Sequence, residues 1–183
     1  MLNIRRIARQ LVRTDGAEIA EAAVVLPLVF MLLLGIVWFG RAFNIYSTIT
    51  QAAQQGAITA ARASCATCTP PNASPTDATV GGVINAVLQA SSIDPAQIPV
   101  NSNPPAPIFC PSPPNPPGGA CTTTNNITIC RQALLNPPAS ATQPAQCGVI
   151  VSFQYPFQFY LPFTSLNLQR IVLSAQAQSR MEN

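Results

Sequence analysis

The sequence predicts an α+β chain: a long N-terminal transmembrane and amphipathic helix packed on a small antiparallel β-sheet head, with a short extra helix and a Pro-rich loop. Three observations predict it. Residues 22–40 carry no charge, small and apolar residues recur at helical spacing through 42–63, and two stretches near the C-terminus alternate apolar with polar side chains. A length of 183 residues suits one domain with appendages.

Charge is distributed unevenly. Arg5, Arg6, Arg9 and Arg13 against Asp15 account for the whole net charge of +3, and everything after Gly16 sums to zero. A basic flank before an apolar run reads as cytoplasmic under the positive-inside rule. Beyond this leader no basic patch exists to neutralise phosphates, so nucleic acid is excluded as a partner. With no His, catalysis by Ser-His-Asp or Cys-His and every His-containing zinc site fall away.

The uncharged run 22–40 reaches about 28 Å as a helix, enough to cross a hydrocarbon core. Trp38 and Phe39 suit an interfacial belt, Arg41 closes the segment, and Pro27 is tolerable inside a membrane helix. The apolar core is too long for a cleavable secretory signal, and no small-residue cleavage site follows it closely. At its threshold stands Gly16-Ala17-Glu18-Ile19-Ala20-Glu21. A carboxylate entering a membrane costs roughly 2.5–3.5 kcal/mol at a helix centre and less near the interface, so Glu21 signals processing, assembly or anchoring.

Past Arg41 the helical stripe continues through Ile45, Tyr46, Ile49, Ala53, Gly56, Ala57 and Ala60. Two rows of small residues, Ala52-Gly56-Ala60 and Ala53-Ala57-Ala61, let another backbone approach closely. They predict a packing seam, inside a filament or against the chain's own sheet, or simply an Ala-rich exported helix. The whole helix is expected to run roughly 40–45 residues and to end before Pro70-Pro71.

Cys65, Cys68, Cys110, Cys121, Cys130 and Cys147 all follow the apolar run, as in a domain exported to an oxidising compartment. Cys65-Ala66-Thr67-Cys68 invites a redox or metal reading. The βαβ context of a thioredoxin-like site is missing, and the remaining cysteines are too irregularly spaced for zinc. Structural disulfides are the better reading, with a pairing that sequence does not disclose. Ser74, as N-cap before Pro75 and Asp77, predicts a short amphipathic helix over 75–91, weakened by Gly81-Gly82.

The Pro-rich stretch 94–118 predicts a surface loop of polyproline-like conformation pinned at Cys110 and Cys121. Such a loop is either a ligand segment for a partner or an exposed variable loop. Thr122–Cys130 fits one short strand. From Val149 to Phe159 apolar residues alternate with mostly polar ones, as in a half-buried antiparallel strand, and Pro156 argues for an edge or a break. After a turn around Pro162–Asn167, residues 171–178 alternate again and form its hairpin partner.

A basic leader, Gly16 with Glu21 five residues on, an apolar helix running into an amphipathic one, and a small C-terminal sheet resemble type IV pilin-like proteins. The match is closer to one branch. Gly16–Ala22, Val24-Val25-Leu26-Pro27-Leu28 and Gly35-Ile36-Val37-Trp38-Phe39-Gly40-Arg41 resemble TadE-like minor pseudopilins of the tight-adherence (Flp) pilus system. The tail Leu173–Glu182 is similar to that family's closing segment. Strong similarity covers about residues 13–62 and, more weakly, 147–182; the middle has no counterpart.

The resemblance implies cleavage between Gly16 and Ala17 by a membrane prepilin peptidase. It also implies pairing of Glu21 with a neighbouring subunit's terminal ammonium and other pilin or pseudopilin subunits as partners. Ala22 departs from the aromatic that many pilins carry after that glutamate. The implied organisation is a leader (1–16), a transmembrane helix (17–41), its amphipathic continuation (42–64) and a disulfide-stapled head (65–183). The expected place is the bacterial inner membrane, with a single span, N-terminus inside, and a periplasmic or extracellular head. No enzymatic activity, metal, cofactor or small-molecule substrate is expected. Two other readings compete: an uncleaved single-span protein whose head binds a partner or ligand through the Pro-rich loop, and an exported CxxC oxidoreductase.

Overall fold

The computed structural model describes residues 15–62, 74–110, 119–136, 145–158 and 170–181. They divide into two compact units, Met1–Ala42 and Phe43–Asn183.

One helix, α1, runs from Asp15 to Ala61, 47 residues against the roughly 40–45 expected from helix geometry. Pro27 sits inside it without ending it; the ring removes one donor from the ladder, a cost that a long run of Leu, Val and Ala outlasts. In the first unit the large apolar side chains of α1 face outward, with Met31 74% and Phe39 72% exposed. By length and composition this is a helix able to cross a membrane, and none of its most apolar window is buried within the protein. Where the polar run Asn44–Thr50 begins, the hydroxyls of Ser47 and Thr48 donate to the Asn44 carbonyl and that of Thr50 to Tyr46. These three hydroxyls are thus satisfied within their own helix.

The second unit is the head. Helix α2 spans Asp77–Ala90. The sequence pattern places its cap at Ser74, whereas Thr76 is the N-cap: its backbone is extended and its side chain accepts from the Thr79 N–H. The start moves two residues because the Pro75 carbonyl is taken by Arg131 and the first helical bond runs from the Val80 N–H to the Thr76 carbonyl. At the other end Ser92, at φ 58°, turns the chain so that Ile93 returns to the core. A short 3₁₀ turn, Pro95–Gln97, follows.

Four antiparallel strands form one sheet in chain order: β1 (Cys121–Thr124), β2 (Ile127–Leu134), β3 (Cys147–Phe157) and β4 (Ile171–Arg180). The single strand expected over 122–130 is instead a hairpin. Asn125 and Asn126 both take positive φ, 52° and 64°, the conformation of a two-residue type I′ turn, which asparagine tolerates better than most residues. The β3–β4 hairpin expected from the alternation is present, with ten register pairs from Gly148↔Arg180 to Phe157↔Ile171. The turn expected around 162–167 lies outside the described residues. Pro156 is accommodated as an edge: the β2 register along β3 ends at Thr128↔Ser152, leaving Pro156 beside β4 alone among the described strands.

The core lies between one face of the sheet and the two helices. Ile49, Ala52, Ala53, Ala57 and Ala60 of α1 meet Val80, Ile84 and Leu88 of α2 and Ile127, Ile129, Val149, Val151 and Phe153 of the sheet. The small-residue rows are therefore spent on the chain's own head. A Cβ at Gly56 would sit 2.7 Å from Ile84 Cδ1, so any larger residue there would force that isoleucine to shift.

β3 departs from the half-buried strand that its alternation predicts: Gly148–Phe153 are buried on both faces. The reason is the Pro-rich stretch, whose described part (94–110) is a fastened strap. Ile98 packs in the helix-side core and accepts from the Asn126 side chain. Asn101 and Ser102 then bond Ser152 and Gln154 on the opposite face. Finally Ile108 and Cys110 exchange backbone bonds with Leu134 and Gln132.

Candidate functional site

The first candidate site is the start of α1. The Gly16–Ala17 peptide bond lies in the described part of α1, close to where it begins. Ala17 and Glu21 are four residues apart and so neighbours on one helix face, separated by about 6 Å of axial rise. Glu21 is exposed, beside exposed Ile19 and Val24. Cutting after Gly16 would create an ammonium at Ala17 close to this carboxylate. In surroundings this apolar a carboxylate needs a cation, its own or a neighbour's.

At the far end of the apolar run the Arg41 guanidinium lies over the Trp38 ring, 5.8 Å from its centroid. An indole and a cation one turn apart suit the region where lipid tails give way to headgroups.

In the head, the six cysteines resolve in part. Cys110 bonds to Cys147 and Cys121 to Cys130, while Cys65 and Cys68 lie outside the described residues. The second bond joins register partners across the β1–β2 hairpin. The first ties the strap to the start of β3, so Cys110 and Cys121 do pin the Pro-rich stretch, each to a different strand.

Sequence reasoning passed over the polar centre of the head. Between Cys130↔Ile150 and Ala133↔Gly148 the β2–β3 register slips, two residues facing one. Gln132 takes up the bulge at φ 55°. The slip places Cys130 and Ala133, three apart, together with Ile150 in a second small cluster. It leaves Arg131 reaching the helices. One guanidinium nitrogen donates to the Ala60 carbonyl at the end of α1, at 3.2 Å; the other donates to the Pro75 carbonyl at 2.7 Å and to Asp77 at 2.8 Å. The Thr122 hydroxyl donates to the second Asp77 oxygen. Partial burial pushes the Asp77 carboxyl up, but the Thr122 and Arg131 hydrogen bonds and the guanidinium charge outweigh it and hold it below its ordinary value. This knot links the end of α1, the start of α2 and two strands. Its role is structural.

Among the described residues no cluster of three or more His, Cys, Asp or Glu could hold a metal. An open depression of about 290 Å³ is lined by Asn85, Pro95, Ala96, Ile98, Asn125 and Asn126, with no titratable side chain.

Residues 16–57 match the family model described as TadE-like protein. The matched segment begins at Gly16 and includes Glu21, Trp38, Arg41 and most of the small-residue rows; the strap and sheet lie beyond it. Neither curated proteins nor solved structures show a match to the chain.

Proposed function

We propose that this chain is a minor pseudopilin of a tight-adherence pilus, inserted in the bacterial inner membrane by α1 and cut by prepilin peptidase between Gly16 and Ala17. The observation that carries the reading is the TadE-like match beginning at Gly16, the residue that also ends the basic leader. The leader holds all the net positive charge, so a cut there leaves a neutral mature chain whose first carboxylates are Glu18 and Glu21. The leader stays inside, Trp38 and Arg41 mark the outer interface, and the disulfide-bonded head is periplasmic or extracellular. Its part in assembly or initiation is non-enzymatic. Glu21 pairs with the terminal ammonium of an adjacent pilin or pseudopilin subunit.

Mass spectrometry of the membrane-extracted protein from cells with active prepilin peptidase tests this. The expected N-terminus is Ala17, and an intact leader would sink the processing step. Gly16→Leu should block cleavage, since a bulky side chain replaces the one residue that lacks any. Glu21→Ala should leave insertion and cleavage normal and abolish pilus assembly. An uncleaved single-span receptor working through its Pro-rich loop requires the reverse: indifference at both positions. The strap's hydrogen bonds to β2 and β3 count against that rival, because they commit much of residues 98–110 to the sheet.

A further inference from the structure

Within the head, α1 runs along the sheet in the direction opposite to β3. The Ala60 carbonyl receives the Arg131 guanidinium, and Arg131 stands between the register pairs Cys130↔Ile150 and Ala133↔Gly148. One turn earlier, a Cβ at Gly56 would lie 3.6 Å from Val151 Cγ1. From Gly56 back to Ile45 the helix covers about 16 Å, the length of about five strand residues. Ile45 packs on the helix-side core and is therefore level with the Pro156–Phe157 end of β3. Val172 and Ile171 are the β4 partners of those two residues. The opposite end of the hairpin, Gly148↔Arg180, lies towards Ala60.

The chain enters the head at Phe43, two residues after Arg41. The end of the head that carries Ile171 is thus the end tethered to the apolar span. Phe43, Tyr46, Ile171 and Val172 lie at this end and are 45–72% exposed. Two of the four are aromatic, the type enriched where lipid tails meet headgroups. Arg170 is exposed beside Ile171, a cation suited to lipid phosphate. Asp94, whose charge acts on Tyr155, offsets it, so the surface is chiefly apolar. A bilayer, unlike a soluble partner, is brought to this end by the chain itself.

We propose that the tethered end of the head is a lipid-contact surface. Phe43, Tyr46, Ile171 and Val172 seat in the headgroup region of the membrane that α1 spans, with Arg170 against lipid phosphates. The proposal rests on the membrane reading of α1 given above.

The test uses the full-length chain in phosphatidylcholine vesicles whose acyl chains carry bromine, a contact quencher of tryptophan. Trp38 is the sole tryptophan, so loss of its emission in the parent reports the span. In a W38F background, I171W and, separately, V172W report the surface. Q178W reports the far end of the same strand, about 23 Å from Ile171. Intact Cys110–Cys147 and Cys121–Cys130 bonds certify the fold of each variant. I171W and V172W should emit further to the blue and lose emission in brominated vesicles relative to plain ones, while Q178W stays unquenched. Quenching of Trp38 with none at 171 and 172, or with equal quenching at 178, would overturn the lipid contact and leave the span standing. A blue shift without quenching would mean that protein covers the surface and would overturn the contact equally. An unquenched Trp38 would instead overturn the span, and the lipid contact with it.

Discussion

Arg131 shows how one side chain holds a junction together. It satisfies a carbonyl at the C-terminus of α1, where four carbonyls lack helical partners, and pairs with the first residue of α2. Arg131→Met should destabilise the head by about 1–3 kcal/mol, because Asp77 loses its cation and two carbonyls lose a donor while the pair is only partly buried. Urea unfolding of the full chain measures this. Asp77 also fixes a sign for acid sensitivity. A carboxyl held below its ordinary value contributes stability that is fully present above about pH 3.9 and is lost as pH falls through the depressed value. Unfolding midpoints followed from about pH 6 to about pH 2 should therefore drop more steeply for the parent than for Asp77→Asn. Neither residue stands out in the sequence. Arg131 reads as one polar strand residue among others, and only the bulge at Gln132 turns it into a link between elements.

At the scale of elements, two glycine sites call for opposite substitutions. A Cβ at Gly82 in α2 meets nothing within 4 Å, so Gly82→Ala should stabilise the head by about 0.5–1 kcal/mol through helix propensity. Gly56 faces Ile84, fully buried, and Gly56→Leu should cost about 1–3 kcal/mol or more through overpacking. Thermal melts of both variants provide the check; stabilisation at position 56 would contradict the packing of α1 on α2. The helices and the β3–β4 hairpin were legible because their periodicities of 3.6 and 2 run unbroken over many residues. The β1–β2 turn was harder to see, since Asn-Asn lacks the glycine that usually announces such a turn, and Thr122–Cys130 is Thr- and Ile-rich on both sides of it.

For the whole molecule, the described part of the Pro-rich strap is what makes the sheet a covered layer. It encloses β3 from the side opposite the helices, and its far end is held by Cys110–Cys147, which closes a separation of 37 residues. A closure of that length contributes about 3–4 kcal/mol in the chain-entropy account. Reducing the protein, or replacing both residues in Cys110→Ser with Cys147→Ser, should loosen the strap and raise protease sensitivity within 98–110. Unchanged cleavage would show that the hydrogen bonds to β2 and β3 suffice alone.

The amino-acid sequence by itself determined the apolar span, the basic flank before Gly16 with the Gly16–Glu21 spacing, the helix's continuation past Arg41 and the β3–β4 pairing. Each rests on local periodicity or on charge, which need no knowledge of distant residues. Tertiary structure decided which surface the small-residue rows cover, which of the described cysteines pair, where the strap lies and what Arg131 bonds. Those outcomes join residues up to 71 positions apart, and a long-range contact leaves no periodic trace along the chain.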